Sequence, residues 1–208
     1  MGDVLAVVEQ REGKVRGISN EVVSAATRLA DGLGGTVHAL LVGGSGVSAD
    51  ASGLGRYGAE RVRVAEMDAL ARYHPEGYAR IVGDAVRSGG YAAVVFGATS
   101  MGKDLAPRVA ALLDVPLVSD ITGMAIEEGD VLAVRPVFAG KAFSTVVFSA
   151  SPAMVSIRPN AFQPEERPAA GTVEAFAPDG VDPSSWKVRV KEFEACLLYT
   201  SPSPRDQL

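Results

Sequence analysis

The chain has 208 residues, a formal net charge of -5 and one cysteine. That acidic balance argues against a nucleic-acid binder, which shows a basic stripe, and one cysteine excludes a disulfide framework or a cysteine-based metal site. No run approaches the roughly 20 apolar residues of a bilayer-crossing helix.

Taken in order, "VLAVV" (Val4 to Val8) is short, β-branched and bounded by polar residues, which predicts a buried strand. Its start so close to Met1 leaves no room for a signal or transit peptide, so the expectation is a cytoplasmic protein of bacterial type. "NEVVSAATRLADGLGG" places Val22, Ala26, Leu29 and Leu33 on one helical face, with Asn20 as the predicted N-cap and Gly34-Gly35 as the stop. "TVHALLVG" reads as a second strand, followed by a Gly/Ser-rich loop from Gly43 to Gly55. "RVRVAEM" alternates and predicts a third strand nearer an edge. A helix is predicted from Pro75 through Ile81, Val82, Ala85 and Val86, then a strand in "YAAVVFGA" and a helix in "DLAPRVAALLD".

Strands alternating with helices imply parallel strands joined by crossovers, hence an open, doubly wound α/β sheet of Rossmann-like class. From about Val115 the pattern changes. Strand-like runs split by "EEGD", "AGK" and "ASP" predict an antiparallel extension added to the same sheet. The stretch from Asn160 to Ser185 is rich in Pro, Ala and Glu and reads as a surface connection. "SSWKVRVKEFEA" is the candidate last strand, with Trp186 as a packing anchor.

The segment densest in chemistry is Phe96 to Ile121, where a buried strand ends in a Gly-bearing loop and a helix follows. Backbone N–H groups at such a helix start suit an anion. Gly97 and Gly102 permit tight turning, Ser100 lies between them, and Lys103 adds positive charge. Yet every strand-to-helix unit has such a loop, and the spacing matches neither the Walker A pattern nor G-x-G-x-x-G. An anion site and an ordinary helix start both remain open at this point, and Asp104 fits the second as a first-turn acid. His38 reads as a sheet-face residue and His74, beside Pro75, as a solvated one; no carboxylate cluster accompanies either, so no metal site is expected. Ser119 and Asp120 read as polar residues closing a strand end, and Arg135 and Arg158 as solvated sheet-edge arginines. No catalytic constellation emerges.

The same segment carries a resemblance. "GATSMGKDLAPRVAALLDVPLVSDI", then "RPVFAGKAFSTV" (Arg135 to Val146) and "SIRPNAF" (Ser156 to Phe162), resemble in order and spacing the N-terminal domain of electron transfer flavoprotein alpha subunits. The opening, with Glu9 between first strand and first helix, resembles the family's start. Lys141 departs from the family, many of whose members carry asparagine there. The resemblance spans about residues 1 to 194.

It implies a two-domain alpha subunit paired with a beta subunit, in a flavoprotein that is an electron carrier and no enzyme. Electrons would pass from flavin dehydrogenases, such as acyl-CoA dehydrogenases of fatty acid β-oxidation, to a quinone reductase. FAD would be held mainly by a C-terminal domain whose marks do not occur in this sequence, so none is expected on residues 1–190. In beta subunits the equivalent fold holds AMP or a second FAD; in alpha subunits that pocket is generally empty. Gly97, Ser100, Gly102 and Lys103 would then form a vestigial nucleotide loop that shapes the contact with beta.

Residues 191–195 resemble the start of the linker to the FAD domain. Cys196 to Asp206 resembles a one-frame translation of a transposon-derived adaptor used in short-read sequencing libraries, so residues 196–208 are expected to be a disordered tail foreign to the protein, with no role for Cys196. The rival reading is an autonomous ATP- or AMP-binding domain of universal-stress or ATP-pyrophosphatase type. Against it, "EQREGKVRG" lacks the Ser-Gly-Gly signature of the pyrophosphatases, and the universal-stress glycine pattern is missing after the fourth strand.

Overall fold

A computed structural model describes residues 2–177 and 180–192; the expectations for residues 193–195 and for the tail 196–208, Cys196 included, lie outside them. In chain order come β1 (Val4–Val8), β2 (Gln10–Arg11), β3 (Lys14–Val15), α1 (Gly17–Leu33), β4 (Val37–Gly43), β5 (Ala59–Glu66), α2 (Pro75–Gly89), β6 (Ala93–Gly97) and α3 (Ser100–Leu113). Then follow β7 (Leu117–Ile121), β8 (Gly123–Glu127), β9 (Asp130–Val137), β10 (Ala142–Val147), β11 (Ala153–Ile157) and β12 (Thr172–Ala175). Seven strands form one sheet in the order β12-β5-β4-β1-β6-β11-β7, and every pair in it is parallel.

Because side chains alternate across a strand, β1 feeds two cores. Val4, Ala6 and Val8 pack with α1 residues Val22, Ala26 and Leu29, whereas Leu5 and Val7 pack with Ile81 and Val82 of α2 and with Leu105 and Val109 of α3. A strand covered on both faces is apolar at every position, which is why "VLAVV" shows no polar alternation. Helix α1 begins one turn before Asn20, with Arg16 as N-cap and no side-chain cap. Asn20 therefore lies inside the helix, because the chain enters α1 straight from the β2–β3 hairpin. Gly34 ends it in the left-handed region (φ 67°), as expected. The Gly43–Gly55 loop is mostly a 3-10 turn, Val47–Tyr57.

The antiparallel extension is real but does not join the main sheet. β8, β9 and β10 form their own three-stranded sheet, held against the α1 core through Val131, Ala133, Met124 and Ile126. β7 and β11 flank this excursion and return to the main sheet as parallel strands. β11 is buried at all five positions, as an interior parallel strand must be.

Two expectations about the last third fail. The edge strand is β12, inside the supposed connection; all four of its residues are exposed, so no apolar pattern marks it, and it exists because β5 offers an open edge. Among the described residues after Ser185 there is no strand. Trp186 instead stacks on the His74 ring at a centroid distance of 4.1 Å, the packing role expected of it.

Candidate functional site

The strand order reverses between β1 and β6, since the chain runs outward from β1 through β4 and β5 before returning to β6. In open α/β sheets the crevice at the carboxyl ends of such strands is the usual ligand position. Here it is a cavity of about 350 Å³, bounded by Glu9 and Arg11 just past β1, Arg16 at the start of α1, Arg72 and Tyr73 before α2, and Met101 in α3.

Its floor is built by close backbone approach. A Cβ on Gly102 would lie 1.7 Å from the carbonyl oxygen of Gly97, so only glycine lets the first turn of α3 sit on the end of β6. A Cβ on Gly97 would come 2.8 Å from Cγ1 of Ile18 and 3.3 Å from Oε1 of Glu9. Thr99 is the N-cap of α3: its Oγ1 accepts the Gly102 N–H at 3.1 Å and donates to Glu9 Oε1 at 2.6 Å. Oε2 of Glu9 accepts from Arg16 Nη1 at 2.7 Å. The Glu9 carbonyl takes both the Arg16 N–H and the Ser19 hydroxyl. Glu9 is only 3% exposed. A buried carboxylate therefore stands between the starts of α1 and α3, where the anion of a nucleotide-binding α/β domain would stand.

Burial pushes the Glu9 carboxyl up, against the opposing pull of Thr99, Arg16 and Arg11. On the rim, the Tyr73 hydroxyl donates to Asp104 Oδ2 at 2.5 Å, and burial and this bond together raise its pKa. The Asp104 carboxyl is held low, chiefly by its bonds from Arg108. Behind the rim, burial pushes the Tyr78 hydroxyl up to about 12; its oxygen accepts from Gln10 Nε2 at 3.0 Å and lies within bonding distance of the Val42 and Leu70 carbonyls.

Of the four loop residues singled out in the sequence, Gly97 and Gly102 converge on this seat, while Ser100 and Lys103 are exposed. The positive charge of Lys103 acts instead on Asp120, adding to the Arg158 bonds that hold that carboxyl low. Thr99, Arg16 and Tyr73 were not anticipated. Thr99 was findable, as a hydroxyl directly preceding the helix; the other two come together only through the fold. Asp120 closes β7 at φ 62° and pairs with Arg158 at 2.6 Å. His38 lies half-buried on the sheet, with Nδ1 3.0 Å from the Tyr91 hydroxyl. His74 is not solvated: it is 4% exposed, caps α2 by accepting the Gly77 N–H on Nδ1, and meets the Val188 carbonyl with Nε2 at 2.7 Å.

These carboxyls give two opposite pH dependences. Asp3, Asp104 and Asp120 have folded pKa values below 3.8, so their contribution to stability is present above that value and is lost as pH falls through the folded values. Glu9 has a folded value above 4.5, so the folded state binds its proton more tightly than the unfolded one. Its contribution therefore declines as pH rises through the raised value. Urea midpoints taken between about pH 3 and 7 should show the acid loss in both the native chain and Glu9→Gln. The decline above pH 4.5 should be smaller in Glu9→Gln than in the native chain, because Glu21, also raised by burial, remains in both; identical profiles for the two would contradict the assignment.

A second feature lies on the small sheet. Phe138 is 81% and Phe143 66% exposed, and Val147 is also exposed. Phe138 (φ 50°), Ala139 (φ 56°) and Gly140 (φ 85°) are left-handed in succession, a conformation that costs non-glycine residues about 1 kcal/mol or more each. Arg135 and Arg158 line the same concavity.

Fold and site define an α/β domain of Rossmann-like class whose switch-point crevice holds a carboxylate of its own chain. The family model for the electron transfer flavoprotein domain matches residues 4–180. The chain is 34% identical over 175 residues to the electron transfer flavoprotein subunit alpha of Bacillus subtilis (strain 168), covering 83% of this chain and 53% of that protein. It is 36% identical over 165 residues to Protein FixB of Clostridium saccharobutylicum, covering 77% and 48%. To the mitochondrial electron transfer flavoprotein subunit alpha of Oryza sativa subsp. japonica it is 37% identical over 167 residues, covering 78% and 45%. The chain belongs to the electron transfer flavoprotein family, and it spans about half the length of these relatives.

The family implies FAD. The residues at the crevice do not fit a dinucleotide: its pyrophosphate would meet the Glu9 carboxylate, while Thr99 already takes the Gly102 N–H through Oγ1 and the Lys103 N–H through its carbonyl.

Proposed function

We propose that residues 1–190 are the beta-contacting domain of an electron transfer flavoprotein alpha subunit. The whole protein accepts electrons from flavin dehydrogenases, of which acyl-CoA dehydrogenases are the type, and delivers them through FAD to a quinone reductase. It is a carrier, working in the cytoplasm of a bacterium. FAD belongs to the part of the family's proteins that these 208 residues do not match; residues 191–195 begin the linker to it, and 196–208 are foreign to it. The loop of Gly97, Ser100, Gly102 and Lys103 is a nucleotide loop that no longer binds nucleotide.

The observation that carries the reading is the extent of the family match, residues 4–180, together with relatives named electron transfer flavoprotein subunit alpha. The exposed Phe143 of β10 and the exposed Phe138 on a strained left-handed turn support a partner-covered face on the small sheet. Co-expression with a beta subunit should retain that subunit on a tagged alpha domain, and Phe143→Glu should weaken the pair by about 30-fold, as loss of a central aromatic anchor does. Undiminished retention by Phe143→Glu would remove the small sheet from the interface. Flavin absorbance at stoichiometric level in the purified 208-residue chain would overturn the assignment of FAD to the part of the relatives beyond the match. Tight ATP binding by it would favour the autonomous nucleotide-binding domain instead.

A further inference from the structure

We infer that Glu9 is the specificity-determining residue of the switch-point crevice: its carboxylate occupies the phosphate seat from within and keeps nucleotides and free phosphate out. The inference rests on reading the 97–103 loop as a former nucleotide loop and adds the cause of its silence.

Three observations support it. The carboxylate is placed as a bound anion is placed, beside the first turn of a 14-residue helix, with Thr99 donating to one oxygen and Arg16 to the other. The carboxylate is kept there although burial works against its charged form, held by Arg16 and Thr99. Above the seat, the cavity of about 350 Å³ has Arg11, Arg16 and Arg72 on its walls against Glu12, a net positive surrounding that would draw a phosphate if its seat were free. A tethered carboxylate holds its place because its effective concentration at the seat exceeds that of any free anion.

The test uses the full 208-residue chain, with inorganic phosphate and AMP as probes, and reads the thermal midpoint at constant ionic strength in chloride. The native chain is expected to be indifferent to both. In Glu9→Ala the seat is vacated, and about 50 mM phosphate should raise the midpoint by about 5 °C, the shift for a site binding near millimolar. Acetate should act in the same direction by replacing the missing carboxylate. Glu21→Ala removes another buried acid, which accepts the Asn160 N–H at 2.8 Å away from the crevice; it should remain indifferent.

If Glu9→Ala does not fold, Glu9→Gln carries the test: Arg16 and the α3 start lose their counter-charge while the side-chain shape is kept, and phosphate should still raise the midpoint. A folded Glu9→Ala, or failing that a folded Glu9→Gln, that ignores phosphate overturns the inference and leaves the family assignment standing. An equal phosphate response in Glu21→Ala also overturns it, as a general salt effect. Tight AMP binding by the native chain overturns both this inference and the reading of the loop as silent.

Discussion

Gly102→Ala is expected to destabilise the chain by about 3 kcal/mol, at the upper end of overpacking costs, and to lower the thermal midpoint by about 6 to 12 °C for a domain of this size. The added Cβ would stand 1.7 Å from the Gly97 carbonyl oxygen, and the atom in the way is backbone at the end of an interior strand. It cannot swing aside as a flexible side chain does. Relief requires lifting the first turn of α3 off β6, which also breaks the Thr99 cap and the hydroxyl bond to Glu9. Gly53→Ala is the control, because a Cβ there meets nothing within 4 Å and the residue is not left-handed. Chemical denaturation of both variants checks the expectation; a midpoint for Gly102→Ala within about 2 °C of native would mean that strand and helix are not so close.

Phe96→Ala is expected to cost about 3 to 5 kcal/mol. Phe96 is 2% exposed, next to last in β6, and belongs to the core shared by α2 and α3, with Leu105, Val109 and Met154. The surrounding elements are tied to the sheet on both sides, so the void left by the ring can collapse only partly. Leu112→Ala, at a leucine 48% exposed on the outer side of α3, should change stability by less than about 0.5 kcal/mol. Urea unfolding resolves the two, and comparable costs would mean that the ring is not the buried anchor of α3.

Much of the fold was legible because its signals are local. "VLAVV" and "AVVFG" are apolar at every position, as strands covered on both faces must be, and Gly34 marks the end of α1 through a left-handed angle that glycine adopts freely. β12 was not legible. "TVEA" is exposed throughout, and its pairing is decided by the free edge of β5, far away in sequence. The separation of β8–β10 from the main sheet was equally hidden, since short apolar runs do not say which sheet they join. His74 looked like a loop residue because its cover, Trp186 and Val188, arrives more than a hundred positions later.

The site divides in the same way. Sequence alone determined the α/β class, the glycine-bearing loop after an interior strand and the family it resembles, because these depend on periodicity, turn chemistry and ordered motifs within short windows. Tertiary structure decided what the loop contains. Glu9, Arg16 and Thr99 are up to 90 positions apart and meet only because β1 and β6 are neighbours while α1 and α3 start at the same end of the sheet. An anion seat is a property of where helix starts and charges converge, and that convergence is set by strand order, which no local pattern records.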